Sequence, residues 1–264
     1  VTAIESVGGK VTGVRYRNAR GFERREEAQH VIVCTGGVSY PSTGSTGDGY
    51  DFARLLADLD AIEGDFLLRF MTSHPKDASK KLIDVIAASK HIAHQFHLPL
   101  QSGSDSILKA MNRHYDKARY LDIVRYIREK MPDAALSSDI IVGFPGETAE
   151  EFEETVSLIE KVRYDALFTF IFSPRKGTKA WDMPDVLTKE EKQRNFEELL
   201  EVQNRISREV NDTYVGKRLR VLVGEEENDR SYNNEYTKQS RAEGFKLVYL
   251  RGAEGLEGQY ADIV

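Results

Sequence analysis

The sequence contains a single cysteine, Cys34, in 264 residues. One thiol excludes an internal disulfide and agrees with a reducing, cytoplasmic setting. It also excludes an all-cysteine metal or iron–sulfur site built by this chain alone. No apolar run reaches the roughly eighteen residues of a membrane span, and no signal-peptide pattern opens the chain, so no membrane partner is expected. There is no initiating methionine. The sequence begins at Val1 and stops at Val264 within an apparent strand, so it reads as a piece cut at both ends. No solenoid-type repeat is evident, and no signal bears on oligomeric state. The net charge of −6 gives no global sign of nucleic-acid binding and leaves only local patches to weigh.

What remains is ordinary for a soluble folded protein: 40% hydrophobic and 30% charged residues. Three compositional parts follow one another. Residues 1–54 are strand-rich with tight turns. TAIESV and VTGVRYR flank Gly8-Gly9-Lys10 as a β-hairpin. The apolar run HVIVC then empties into TGGVSYPSTGSTGDGY, a strand followed by a glycine-rich turn of the kind that cradles phosphates. The GxGxxG fingerprint of a dinucleotide site is absent.

Residues 55–212 alternate strand and helix. LLRFMT (67–72), HQFHLPL (94–100), SSDIIVGF (137–144) and ALFTFIF (166–172) read as strands, and helices are expected over 51–59, 79–90 and about 104–111. Tyr120, Ile123, Val124 and Ile127 form a helical stripe. Thr148 to Glu151 and Thr188 to Glu191 have capping-box spacing. Strands and helices recurring every roughly 30 to 40 residues argue parallel βα units in a barrel or doubly wound sheet. Residues 213–264 return to short strands, RLRVLV (218–223) and FKLVYLR (245–251), as in a small β-barrel or sandwich. They hold eight basic and nine acidic side chains, so no basic stripe stands out.

In parallel βα folds reactive groups gather where strands end. Four junctions here are rich in polar or special-backbone residues: Thr72-Ser-His-Pro75, Pro99-Leu-Gln-Ser-Gly-Ser104, Gly143-Phe-Pro-Gly-Glu-Thr148 and Ser173-Pro-Arg-Lys-Gly-Thr178. His91, His94 and His97 cross from a helix end into a strand, which does not keep three rings on one face. No metal site is expected there.

The runs HLPLQSGSDSILKAMNRHY, SSDIIVGFPGETAEEFEET and FTFIFSPRKGT, with TSHPKD and VGKRLRVLV, resemble the radical-SAM tRNA methylthiotransferases of the MiaB type over about residues 55–264. The resemblance implies an α/β fold: part of a radical-SAM, TIM-like parallel barrel followed by a partial TRAM module. It implies transfer of a methylthio group to isopentenyladenosine beside the anticodon, with S-adenosylmethionine and [4Fe–4S] clusters as cofactors and the tRNA anticodon stem-loop as partner. The family's CxxxCxxC cluster loop has no counterpart in this chain, so the chain alone is expected to be inactive.

Carried over by motif, Gln101, Ser102 and Ser104 lie near the adenosylmethionine or the target base, or else cap the following helix. Gly143, Gly146 and Glu147 shape the cofactor rim, although Gly146 and Thr148 also suit a plain turn and helix cap. Arg175 faces an anion or the RNA, or is a surface cation. In the TRAM part, Lys217, Arg218, Arg220, Lys238 and Arg241 supply phosphate contacts. The family's Gly-Arg-Thr followed by Asn is here Ser240-Arg241-Ala242-Glu243-Gly244-Phe245, in which Arg241 alone is retained.

The opening segment resembles a different family. VIVCTGGVSYPSTGSTGDGYDFA is similar to the loop of BaiN-type FAD-dependent oxidoreductases, which would place Thr35, Gly36, Gly37, Gly47 and Asp48 at a flavin and FAD among the cofactors. A composite chain joined within residues 51–66 is therefore expected. Its function would be that of the methylthiotransferase, with a flavin oxidoreductase fragment or a non-catalytic RNA-binding module as alternatives.

Overall fold

The computed structural model describes residues 3–7, 10–17, 21–27, 52–70, 75, 78–227 and 238–264. The chain divides into two compact units, residues 1–71 with 81–93, and residues 72–80 with 94–264.

In the first unit, β1 (Ala3–Val7), β2 (Lys10–Arg17) and β3 (Glu23–Glu27) form an antiparallel sheet in that order. The β1–β2 hairpin matches the expected one. Strand β3, sequence ERREE, has no apolar alternation to betray it and is exposed throughout. It is held by cross-strand charge: Glu5 accepts from Arg25 at 2.6 Å and pairs with Arg15 at 2.7 Å. Helices α1 (Phe52–Asp60) and α2 (Lys80–Ala88) follow the expected spans closely. The segment read as a strand at 67–72 is reduced, among its described residues, to one parallel bridge, Leu68 to Ile92. Asp60 at the end of α1 accepts from the Lys90 and His91 amides at 3.1 and 3.0 Å and from the Ser89 hydroxyl.

The second unit is built on the parallel sheet β4 (Gln95–His97), β5 (Ala135–Val142), β6 (Ala166–Ile171), in sequence order. Strand β4 is shorter than HQFHLPL suggests because Pro99 has no amide to give the ladder. The chain nevertheless keeps company with β5. Leu98 N donates to Ser137 O, Leu100 N to the Ser138 hydroxyl, and Gln101 N to Asp139 O. Helices α3 (Asp105–Ala110), α4 (Lys117–Lys130), α5 (Ala149–Val162) and α6 (Lys189–Asp212) supply the connections and cover. The predicted stripe Tyr120, Ile123, Val124, Ile127 is buried, as are Phe152, Val156 and Ile159 of α5. Both predicted capping boxes are formed.

One face of this sheet carries Phe96, Leu136, Ser138, Ile140 and Val142, all buried. Among them the Tyr164 hydroxyl donates to that of Tyr120 at 2.8 Å, which donates to Leu98 O at 2.9 Å. The chain ends in an antiparallel sheet of order β10-β7-β8-β9, made of β7 (Leu219–Glu227), β8 (Lys238–Ala242), β9 (Leu247–Leu250) and β10 (Tyr260–Ile263). Its core is Val221, Val223, Ala242, Leu250 and Ala253. The turn after β8 meets the α/β part: Glu243 accepts from His94 N at 3.1 Å, and Lys246 pairs with Asp165 at 3.2 Å.

Candidate functional site

Because β4, β5 and β6 run parallel, their following loops emerge on one rim. The loop after β4 is built around Gln101, which takes φ 72° although it is not glycine. Two ladder bonds hold it there, Gln101 N to Asp139 O and Ile141 N to Gln101 O. Ser102 and Ser104 are buried. The Ser102 hydroxyl accepts from Ser104 N at 3.2 Å and lies 3.5 Å from that of Thr155. Gly103 N donates to the Thr155 hydroxyl at 2.9 Å. Ser104 occupies the N-cap position of α3 without a capping bond from its side chain, which turns to Ser106 at 2.7 Å and Glu151 at 3.4 Å. Both serine hydroxyls are therefore engaged within the fold and tie this loop to α5.

The loop after β5 has a similar internal logic. Gly143 and Gly146 take φ 72° and 90°. A Cβ on Gly143 would lie 2.6 Å from Lys192 Cγ, whereas one on Gly146 would meet nothing within 4 Å. The Glu147 carboxylate turns back to accept from Gly143 N at 2.6 Å and is almost wholly buried. Burial pushes its pKa up to about 7. The Gly143 amide and the Lys192 charge oppose that rise, and the nearby Glu151 charge adds to it. Glu151 was visible in the sequence only as a capping residue. It also joins the two loops, because one oxygen accepts from Thr148 N at 2.9 Å while the other faces Ser104 and Ser106.

The opposite face of the sheet, away from its helices, carries the groups that sequence reasoning missed. Parallel register aligns His97 with Ser137, Asp139 with Phe168 and Ile141 with Phe170. His97 Nδ1 lies 3.0 Å from the Ser137 hydroxyl and Nε2 lies 3.4 Å from Asp139. The Phe168 ring meets His97 edge-on at 5.9 Å, yet Phe168 and Phe170 are 52% and 53% exposed. Such a surface offers flat apolar rings beside a hydrogen-bonding imidazole–carboxylate pair. The signal for it was the alternation in DII and FTF, which SSDIIVGF as a uniformly buried strand concealed.

The third loop leaves β6 with Phe172 N donating to Val142 O at 2.8 Å, and with the Phe172 ring 5.0 Å from Phe144. Arg175 is exposed, and its carbonyl accepts from Thr178 N and Oγ1 at 3.1 and 2.7 Å. Lys217 and Arg218, just before β7, and Arg220 and Arg241 of the C-terminal sheet are exposed. Arg220 stacks on Tyr260 at 4.1 Å, Arg241 on Phe245 at 4.4 Å, and Lys217 approaches Tyr214 at 5.7 Å. Lys238 differs from them. It points to the core side and pairs with Glu257 at 2.9 Å, because it sits in phase with Ser240 and Ala242 on the buried face of β8.

Thr35, Gly36, Gly37, Gly47 and Asp48, with the strand before them, lie outside the described residues, as do Thr72 to His74. The three histidines are separated: His91 faces Asp60 and stacks on Phe66 at 4.2 Å, His94 lies 3.6 Å from Asp133, and His97 lies on the open sheet face. No group of three or more metal-ligating side chains occurs among the described residues.

The chain is 45% identical over 214 residues to tRNA-2-methylthio-N(6)-dimethylallyladenosine synthase of Alkaliphilus oremlandii, covering 81% of this chain and 44% of the relative. The same enzyme of Clostridium botulinum is 46% identical over 212 residues, 80% of this chain and 46% of the relative. The chain thus spans less than half the length of these curated relatives. Coproporphyrinogen III oxidase of Escherichia coli, a solved radical SAM enzyme, superposes with a TM-score of 0.49 at 17% identity, over 60% of this chain and 37% of that one. The model of the radical SAM superfamily matches residues 19–159, starting inside the segment whose sequence resembles a flavoprotein. That match covers more than half of the sequence, and the chain belongs to the radical SAM superfamily.

Proposed function

We propose that this chain is the substrate-facing and RNA-contacting portion of a tRNA methylthiotransferase that modifies an adenosine beside the anticodon. The observation that carries the reading is the 45% identity over 214 residues to a tRNA-2-methylthio-N(6)-dimethylallyladenosine synthase. The rim agrees with it. Gly146 leaves open space where a ligand can approach the backbone, and Gln101 takes a left-handed turn in the loop after the neighbouring strand. Ser102, Ser104, Gly143 and Glu147 shape that rim from inside, and the Phe168–His97–Asp139 face below it suits an adenine ring. Arg175, Lys217, Arg218, Arg220 and Arg241 supply cations for the RNA backbone.

The family's cofactors fit unequally. Adenosylmethionine has a rim to meet. A [4Fe–4S] cluster is held by cysteine thiolates, and this chain has only Cys34, so its own residues do not fit the cluster and no step is assigned through it.

The test is binding of a labelled anticodon stem-loop RNA to the purified chain across a salt series. Binding should weaken steeply with salt, because phosphate contacts release counterions. Absence of binding at low salt, or equal binding to a neutral polymer, would refute the reading.

A further inference from the structure

The loop between β6 and α6 carries more than Arg175. Trp181, the chain's single tryptophan, is 49% exposed, although tryptophan is on average a well-buried residue. Arg175, Lys176 and Lys179 precede it within seven residues, all exposed, and none forms an ion pair among the described residues. Three cations without an ion pair thus fall within five residues of sequence, against one neighbouring acid, Asp182, in a chain whose net charge is −6.

The loop is also held in shape. Gly177, at φ 86°, turns the chain back so that Thr178 closes on the Arg175 carbonyl. A 3-10 turn over Lys179–Trp181 follows, with Trp181 N donating to Thr178 O at 3.0 Å. Both ends are anchored at the rim: Phe172 packs on Phe144 of the preceding loop, and Asp185 pairs with Lys192 of α6. The indole is therefore presented on a braced turn within a segment whose two ends meet Phe144 and Lys192.

An aromatic plane flanked by unpaired cations matches the alternation of base and phosphate along an unpaired nucleic-acid strand. An acidic peptide would satisfy the cations and leave the indole without a planar partner. We infer that Trp181 stacks on an unpaired base of the RNA bound at this rim, with Arg175, Lys176 and Lys179 neutralising the flanking phosphates. The inference rests on the RNA reading proposed above and adds a residue that selects single-stranded over paired nucleotides.

Because Trp181 is the only tryptophan, the full chain's intrinsic fluorescence reports on it directly. The anticodon stem-loop RNA is titrated while indole emission and the anisotropy of the labelled RNA are followed together. Indole quenching should saturate at the same RNA concentration as anisotropy. Trp181→Ala should weaken binding about tenfold, while Trp181→Phe, which keeps a stacking ring, should stay within about threefold. Lys176→Gln and Lys179→Gln should each lower the salt slope by about 0.7, the single-strand value. Binding without quenching and unchanged in Trp181→Ala would overturn the inference and leave the RNA reading standing. No anisotropy change at low salt would sink both. Quenching by polyglutamate as strong as by RNA would assign the loop to an acidic protein partner instead and overturn the inference.

Discussion

Glu147 shows how much one side chain at the rim has to balance. Its carboxylate is buried, yet it accepts from Gly143 N at 2.6 Å and has the Lys192 charge nearby. Burial dominates and raises its pKa from the ordinary 4.5 to about 7. A carboxyl raised in the folded state binds more protons there than in the unfolded chain. Its contribution to stability is therefore complete below about pH 4.5 and is lost as pH rises through about 7. Glu147→Gln keeps an oxygen to accept from Gly143 and has no charge to bury. Relative to the parent, the variant should gain about 2–3 kcal/mol between pH 5 and pH 8, read from urea unfolding at several pH values. A parallel pH profile for the two proteins would show that Glu147 ionises freely in the folded state. The residue type was legible in GFPGE; its return to Gly143 was not, because that depends on the turn made by two glycines.

At the level of elements, the loop after β4 is shaped by the helix it touches. Gly103 lies so close to α5 that a Cβ would stand 2.4 Å from Thr155 Cα and 2.8 Å from Glu154 O. These are backbone atoms of a capped, buried helix, so they cannot swing aside. Gly103→Ala should cost about 2–3 kcal/mol by overpacking, seen as a lower urea midpoint. A midpoint unchanged from the parent would mean that the loop can lift from α5 without penalty. The helices were readable because their period and caps are local: the Tyr120–Ile127 stripe and the Thr148 and Thr188 boxes all formed as expected. Strands β3 and β8 escaped notice because ERREE and KQSRA owe their pairing to neighbouring strands rather than to apolar alternation. Lys238 illustrates the consequence. As a sequence feature it is a cation available to RNA, and only the phase of β8 turns it toward Glu257.

For the whole molecule, the decisive number is the cysteine count. Three thiolates are required for the family's CxxxCxxC loop, and this sequence supplies one. Anaerobic reconstitution of the purified chain with iron and sulfide is expected to give no stable visible absorbance of an iron–sulfur cluster and no stoichiometric iron. A retained, stoichiometric cluster would show that ligands other than cysteine suffice here. The chain's alignment with 44% of a relative is consistent with this, since a synthase of that length has room for ligands this sequence lacks. The superfamily model, matching from residue 19, also reaches into the segment that resembles a flavoprotein loop.

The sequence by itself determined the superfamily, the helices and their caps, the parallel βα order and the shortage of cluster ligands. Each of these depends on residue identity or on spacing within a few turns of chain. Tertiary structure alone decided which side chains remain available at the rim. Ser102, Ser104 and Glu147 turn inward because α5 and Gly143 stand within hydrogen-bond reach. His97, Asp139 and Phe168, from three separate strands, meet because parallel pairing places them in adjacent register on one face. A hydrogen bond or a shared face between residues forty positions apart is set by strand register, and no local pattern in the chain encodes that distance.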